Sequence, residues 1–203
     1  MPGEYYFCEN NLEMTKRELR SLYLEKRKEL SKEEVITASE RIFRRFLSNF
    51  FVEKNQKIHL FLSIEKFNEV NTLPFIKYLQ EKEVRIFVPK MLQGDIISVE
   101  ILEDTILAKN SWGIMEPISD EDSGVVDFDY IITPLLYCDP AGGRVGYGKG
   151  FYDRFFAGIN AECKKVGVGF FKPELFVDDL TEEDVSLDYL VTPDEVLSFK
   201  IGC

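Results

Sequence analysis

The chain contains a single histidine among its 203 residues. His59 lies in the alternating run from Lys57 to Ser63, a pattern that predicts a β-strand. Serine–histidine–aspartate catalysis, histidine-based zinc sites and cysteine–histidine pairs would all depend on this one side chain. We therefore interpret His59 as a packed or partly exposed strand residue, and we expect the chemistry of the protein to come from other groups.

Cysteines and long apolar runs are also scarce. The four cysteines form no Cys-x-x-Cys pair, which favours reduced thiols over a disulfide framework or a zinc site; they are Cys8, Cys138, Cys163 and Cys203. No apolar stretch approaches membrane-spanning length, and residues 1–11 lack the basic and apolar regions of a signal peptide. We expect a cytoplasmic protein without a membrane partner.

Positive charge is in the minority, with 25 lysines and arginines against 36 acidic residues and a net charge of −11. An acidic chain of this kind argues against general nucleic-acid binding, which needs a basic face. The length and the hydrophobic content of 45% describe one ordinary globular domain. We expect that domain over residues 15–203, after a flexible extension over residues 1–14.

Against this acidic background, residues 142–154 stand out, with five glycines and three cations between a predicted strand and a predicted helix. Glycine lets successive backbone N–H groups turn toward one point, and a helix start adds its dipole. Arg144, Lys149 and Arg154 would add positive charge there. The segment predicts a binding site for an anion such as a polyphosphate; a mobile glycine-rich surface loop is the alternative.

The segment departs from two common nucleotide motifs. Gly143, Gly148 and Lys149 match G-x-x-x-x-G-K, but Gly150 stands where a P-loop has the serine or threonine that holds magnesium. Phe151 stands where the dinucleotide-binding motif G-x-G-x-x-G would have its last glycine. A metal bound at this loop would therefore need protein oxygens from elsewhere.

The rest of the chain alternates between helix and strand signals. Capping boxes at Thr15–Glu18 and Ser31–Glu34 predict the starts of two helices. Further helices are predicted at residues 73–82, 104–108 and 151–159, and strands at 57–63, 84–89, 96–102, 130–136, 165–171 and 188–191. This alternation favours an α/β fold, a single open and largely parallel sheet with helices on both faces.

In such a sheet, ligands bind beyond the carboxyl ends of the strands. We expect three loops to converge there, at residues 64–72, 137–150 and 172–188. Lys16, Arg17 and Arg20 at the start of the first helix would reach the same site. A solvated helix face is the alternative for these three cations.

Several stretches resemble a known family. Gly143-Arg-Val-Gly-Tyr-Gly-Lys-Gly-Phe-Tyr-Asp-Arg154 is similar to the signature of 5-formyltetrahydrofolate cyclo-ligases. Weaker matches follow in the expected order over residues 16–193, at Lys16-Arg-Glu-Leu-Arg20, Phe61-Leu-Ser63, Asn68-Glu-Val-Asn-Thr72, Val88-Pro89, Ser111-Trp-Gly-Ile-Met-Glu-Pro117 and Asp188-Tyr-Leu-Val-Thr-Pro193. One departure is Phe151, where many members have tyrosine.

The resemblance implies an enzyme that uses ATP and Mg²⁺ to convert 5-formyltetrahydrofolate into 5,10-methenyltetrahydrofolate, with release of ADP and phosphate. In that family's reaction the formyl oxygen takes the γ-phosphoryl group, N10 attacks the activated carbon and phosphate leaves. A cationic glycine loop can support such a step without histidine, because positioning and charge stabilisation dominate phosphoryl transfer.

The resemblance also implies roles for individual residues. Lys149 and Arg144 would be catalytic, and Asp153 and Asp188 would bind Mg²⁺. The ATP-binding set would be Lys16, Arg17, Arg20, Arg144, Gly146, Tyr147, Gly148, Lys149, Gly150, Phe151 and Tyr152. The substrate-binding set would be Phe61, Leu62, Glu69, Trp112, Tyr147 and Tyr152.

Other interpretations stay open from the residues alone. Asp153 would otherwise cap its helix, Asp188 would occupy a turn and Trp112 would lie in the core. The whole protein would otherwise be a nucleotide sensor without turnover, or a different phosphotransferase on a related sheet. We expect the two small-molecule substrates to be its partners. We also expect the enzyme to be a monomer.

Overall fold

The computed structural model describes residues 13–110 and 114–200. These residues contain the helices α1 (Lys16–Glu29), α2 (Lys32–Asn49), α3 (Leu73–Glu81) and α4 (Phe151–Ala157), and a short 3-10 helix at Glu65–Phe67. Both predicted capping boxes are confirmed. The side chains of Thr15 and Ser31 each accept a hydrogen bond from the backbone amide of the N3 glutamate, and the side chain of that glutamate accepts one from the backbone amide of the capping residue. No helix in the described ranges is long and apolar enough to cross a membrane.

Thirteen strands occur in the same ranges: β1 (Glu13–Met14), β2 (Lys57–Leu60), β3 (Arg85–Leu92), β4 (Asp95–Ile101), β5 (Leu107–Lys109), β6 (Met115–Pro117), β7 (Tyr130–Pro134), β8 (Tyr137–Cys138), β9 (Arg144–Val145), β10 (Lys164–Val168), β11 (Phe176–Val177), β12 (Tyr189–Val191) and β13 (Val196–Ser198). Seven of them form the central sheet in the order β13-β12-β10-β7-β2-β3-β4. The five inner strands are parallel, and the edge strands β4 and β13 are antiparallel to their neighbours.

Helices cover both faces of this sheet, as predicted. On one face, α2 and α3 pack against the inner strands through aromatic contacts such as the stacked rings of Phe43 and Phe75, 4.2 Å apart. On the other face, Phe156 of α4 packs with Phe87, Phe128 and Ile131. Apolar residues on alternating sides of the inner strands therefore explain the three-layer α/β architecture.

The first helix lies outside these two layers. Tyr23 of α1 stacks on Tyr137 of β8 with ring centroids 4.2 Å apart, and Leu19 joins the same apolar cluster. This packing places α1 against the chain that follows β7. It brings Arg20, near the amino terminus of the helix, into contact with the glycine-rich segment.

Two sequence predictions need correction. The helix predicted at residues 104–108 is wrong, because Leu107–Lys109 is strand β5 and pairs antiparallel with β6. The cross-strand partners in this hairpin outweighed the weak local helix signal. Glu13 and Met14, placed in the predicted extension, form β1 and pair parallel with Phe176 and Val177. Residues 1–12 lie outside the described ranges.

His59 is a packed strand residue, as predicted. It is 0% exposed on β2, and its ring lies 4.7 Å from Phe155 and 5.5 Å from Phe128. Neither ring nitrogen has a hydrogen-bond partner among the described residues. Burial lowers the pKa of His59 to about 3, so the ring is neutral. Its full burial also keeps the ring out of contact with solvent.

Candidate active site

The glycine-rich segment is held in place by a buried aspartate. Asp139 is 1% exposed, and its Oδ1 accepts hydrogen bonds from the amides of Ala141 (2.9 Å) and Gly143 (2.7 Å). Its Oδ2 also accepts from the Val177 amide at 3.4 Å. Asp139 thereby connects the turn after β8 to strand β11. Sequence reasoning missed Asp139, although an Asp-Pro-x-Gly run is typical of a turn closed by its own aspartate.

Gly148 is the glycine of the segment at which a side chain would meet the first helix. Its φ is +83°, and a Cβ atom there would lie 2.9 Å from Cζ of Arg20. Arg20 donates from Nε to the carbonyl of Gly146 at 3.0 Å. The guanidinium of Arg20 therefore lies directly on the loop, and the prediction that the first helix reaches this site is confirmed for this residue.

The other two predicted cations of the first helix, Lys16 and Arg17, do not contact the glycine loop in the same way. Lys16 pairs with Asp184 at 2.6 Å, and its backbone amide donates to Asp179 at 2.7 Å. Arg17 is exposed. The segment at residues 172–188 thus converges on α1 as predicted, with acidic groups that the sequence prediction did not single out.

Two of the three loop cations have acidic partners. Arg144 is 7% exposed at its side chain and pairs with Asp153 at 2.7 Å, and its guanidinium lies about 5.5 Å from the rings of Tyr152 and Phe156. Arg154 pairs with Asp95 on the surface. Lys149 is exposed and makes no ion pair with any residue in the described ranges. Among the three loop cations, it is the one without an acidic partner in the described ranges.

The two predicted metal ligands each have other partners in the structure. Asp153 Oδ1 accepts from Arg144 and from the Val185 amide at 3.2 Å. Asp188 lies beside Lys165, whose amide donates to it at 2.7 Å, and the ammonium groups of Lys165 and Lys200 lie 3.6 Å away. No cluster of three or more His, Cys, Asp or Glu side chains that could hold a metal occurs in residues 13–110 and 114–200.

A second group of side chains lies behind the glycine loop. Glu69 is 5% exposed; its Oε1 accepts from the Tyr147 hydroxyl at 2.8 Å, and its Oε2 accepts from the Ile64 amide at 2.8 Å. Burial raises the pKa of Glu69, and the Arg27 guanidinium is the leading influence in the opposite direction. Tyr147 therefore joins the loop at residues 64–72 to the glycine loop, as the predicted convergence requires.

The predicted substrate residues surround this group unevenly. A cavity of about 10 Å³, room for roughly one water molecule, is lined by Phe61 and Glu69 together with Arg27 and Phe170. Leu62 is buried in the main core cluster instead. Tyr152 lies on α4, and its hydroxyl is buried without a partner in the described ranges. Trp112 lies outside the described residues.

Sequence reasoning missed Arg27. It is 3% exposed on α1, one turn after Tyr23 and two turns after Leu19, and it lines the same cavity as Glu69. The signal was available in principle, since the spacing of four residues places all three on one helix face. A charged residue at such a position is usually solvated, and this one is not.

Fold and site together define a mixed α/β protein with a glycine-rich, cation-bearing loop in the chain that follows its central strand β7. The sequence model of the 5-formyltetrahydrofolate cyclo-ligase family matches residues 13–193. The chain belongs to that family, whose named members are enzymes.

Individual relatives agree with this membership. The chain is 26% identical to a probable 5-formyltetrahydrofolate cyclo-ligase of Caenorhabditis elegans, over 84% of this chain and 88% of the relative. It is 30% identical to the cyclo-ligase of Escherichia coli, over 68% of this chain and 79% of the relative. The structure of Aquifex aeolicus 5,10-methenyltetrahydrofolate synthetase matches with a TM-score of 0.78 and 30% identity, over 94% of this chain and 95% of that one.

Proposed function

We propose that this protein converts 5-formyltetrahydrofolate into 5,10-methenyltetrahydrofolate with consumption of ATP and in the presence of Mg²⁺. Family membership supports the conversion itself. The observation that carries the site assignment is the hydrogen bond of 2.8 Å from Tyr147 to Glu69. It joins a loop suited to phosphates to a buried carboxylate suited to the N–H edge of a pterin, so both substrates would lie against one another.

The phosphate half of the site is the glycine loop with the start of α1. Lys149 is exposed and Arg20 lies on the loop backbone, so both could contact a polyphosphate bound at the loop. The full proposed ATP-binding set is Lys16, Arg17, Arg20, Arg144, Gly146, Tyr147, Gly148, Lys149, Gly150, Phe151 and Tyr152. Lys16 and Arg144 would exchange their present partners Asp184 and Asp153 for phosphate oxygens.

The proposed reaction makes a poor leaving group into a good one. The formyl oxygen of the substrate takes the γ-phosphoryl group of ATP, which gives ADP and an iminophosphate. N10 then attacks the formyl carbon and releases its proton to solvent, the carbon–oxygen bond breaks and the oxygen leaves within inorganic phosphate. Lys149 and Arg144 would stabilise the negative charge on the transferring group, which is the main contribution a protein makes to phosphoryl transfer.

The folate half of the site would be formed around Glu69. An ionised carboxylate accepts paired hydrogen bonds from adjacent N–H donors such as those of a pterin ring. Phe61 lines the cavity beside Glu69, Tyr147 donates to Glu69 from the glycine loop, and Tyr152 of α4 would join them. Leu62 and Trp112 complete the proposed substrate set. Because the cavity holds only about one water molecule, the substrate would bind by displacing its walls.

Asp153 fits a role in holding Mg²⁺. Magnesium is a hard cation that usually takes one or two protein carboxylates together with substrate phosphates and water, so a cluster of three carboxylates is not required. Asp153 lies in the first turn of α4, directly after the glycine loop. Asp188, the second proposed ligand, would have to give up its contacts with Lys165 and Lys200. The bound ion would supply charge neutralisation of the phosphates.

A spectroscopic assay tests the proposal. Purified protein is mixed with 5-formyltetrahydrofolate, ATP and Mg²⁺, and the near-ultraviolet absorbance of the methenyl product is followed. Product that depends on both ATP and the folate supports the proposal. ATP binding without product would favour a nucleotide sensor, and ADP release that is independent of the folate would favour another phosphotransferase.

A further inference from the structure

Arg27 connects three parts of the folate half of the site. Its Nε donates to the carbonyl of Asn68 at 3.2 Å, and its Nη1 donates to the carbonyl of Leu135 and the hydroxyl of Tyr147, both at 3.4 Å. Asn68 binds back through its side-chain amide to the carbonyls of Arg27 (2.8 Å) and Leu30. The end of α1 and the residue before Glu69 are therefore fixed to one another in both directions.

Arg27 is a buried charged side chain. A guanidinium that is 3% exposed is costly unless a negative charge lies near it. Glu69, on the same cavity, is the acidic group that meets this requirement. The two do not form a direct ion pair; the Tyr147 hydroxyl lies between them, 3.4 Å from Arg27 Nη1 and 2.8 Å from Glu69 Oε1.

The remaining groups around Glu69 cannot replace this charge. The Ile64 amide and the Tyr147 hydroxyl are neutral donors. Burial and the Glu69 carboxylate raise the pKa of Tyr147, and burial dominates the raised pKa of Tyr152, so both phenols stay protonated. Among the described residues, Arg27 is thus the cation that faces Glu69 from the elements packed around it.

We propose that Arg27 is a positioning residue of the folate half of the site, which compensates the charge of Glu69 and fixes the Tyr147 hydroxyl on it. This proposal rests on the proposed function, because it assumes that Glu69 accepts hydrogen bonds from the folate. A neutral side chain at position 27 would leave Glu69 in an apolar cavity, where the protonated carboxyl is favoured. A protonated carboxyl cannot accept the paired hydrogen bonds that a carboxylate accepts.

The test measures the dissociation constant for 5-formyltetrahydrofolate by titration calorimetry, without ATP, from mildly acidic to mildly alkaline pH. Arg27→Met should weaken binding at least about tenfold at acidic pH, the scale of a lost charge-assisted hydrogen bond. Binding should recover as the pH rises and Glu69 ionises. Arg27→Lys should retain the wild-type pH dependence, and Lys28→Met, an exposed neighbour on α1, serves as the matched control.

Arg27→Gln serves if the methionine variant does not fold, since it keeps a donor for the Asn68 carbonyl while removing the charge. An affinity that falls equally at every pH, or does not fall at all, overturns the role of Arg27. Wild-type protein that binds the folate but forms no methenyl product contradicts the proposed reaction alone. Wild-type protein that does not bind the folate overturns both proposals.

Discussion

Arg144 and Asp153 form an ion pair of 2.7 Å between the glycine loop and the first turn of α4. Arg144 is proposed to bind phosphate, and Asp153 to bind Mg²⁺. In the structure each side chain neutralises the charge of the other. A nucleotide with its metal would replace this ion pair by two contacts, one between Arg144 and a phosphate and one between Asp153 and Mg²⁺. The exchange would leave neither charge unpaired in the complex, which is favourable for partly buried groups such as these.

The exchange predicts how Asp153→Asn behaves. The amide keeps the shape of the side chain but loses the charge that would bind the metal. We expect the Mg²⁺ concentration for half-maximal activity to rise at least about tenfold, the loss seen when supporting carboxylates of metal sites are changed. Nucleotide binding without metal should change much less.

A magnesium titration of both proteins measures this effect. Asp95→Asn is the matched control, because Asp95 pairs with Arg154 beside the same loop but its side chain is 71% exposed. If Asp153→Asn keeps wild-type half-saturation and turnover, Asp153 only orients Arg144 and caps α4.

Lys149→Ala should reduce turnover by roughly 10²-fold, because a preorganised cation is worth most when charge develops in the transition state. The fold should persist, since the side chain is exposed. Steady-state kinetics with saturating ATP and folate measure the effect. Lys172→Ala, which removes an exposed lysine paired with Glu195, is the control. A loss below about threefold would remove Lys149 from the catalytic set.

Gly148→Ala should impair ATP use through Arg20. The added Cβ would lie 2.9 Å from the guanidinium carbon, so Arg20 or the loop must shift. Gly124→Ala separates this effect from backbone strain, because Gly124 has φ +64° but no neighbour within 4 Å. We expect both variants to lose about 1 kcal/mol of stability, but only Gly148→Ala to raise KM for ATP. Equal KM values would show that the Arg20 contact is irrelevant to ATP.

His59 predicts part of the acid sensitivity of the fold. Its pKa falls from 6.5 to about 3 in the folded chain, so its contribution to stability is present above pH 6.5 and is lost as the pH falls toward 3. The expected loss is about 1.4 kcal/mol per pH unit within that window. Urea unfolding of wild type and His59→Leu at several pH values tests this, and identical pH slopes would contradict it.

Local signals predicted much of the fold. The capping boxes at Thr15 and Ser31 marked two helix starts, and the apolar runs marked six of the strands in the central sheet. The seventh, β13, has only three residues and depends on pairing with β12. The β5–β6 hairpin was missed for the same reason, because its cross-strand partners are not visible in a local pattern.

The part of the site formed by one continuous sequence motif was predictable. The part that depends on contacts between residues far apart in the sequence was not. Glycine and cation spacing indicated the phosphate loop. The partners of Arg27 lie 41 and 120 positions away, so a helix pattern could not distinguish a buried positioning residue from a solvated one. The location of Asp188 follows from the register that places Val166 opposite Tyr189, which sets it beside Lys165.

The formyl oxygen of the substrate provides the most direct test of the proposed chemistry. 5-Formyltetrahydrofolate carrying isotopically heavy oxygen in its formyl group is converted by the wild-type enzyme with ATP and Mg²⁺. The inorganic phosphate is then analysed by mass spectrometry. Phosphoryl transfer to that oxygen predicts one heavy oxygen in the phosphate for each methenyl product formed. Product formation with unlabelled phosphate, and the heavy oxygen in water, would contradict the proposed mechanism.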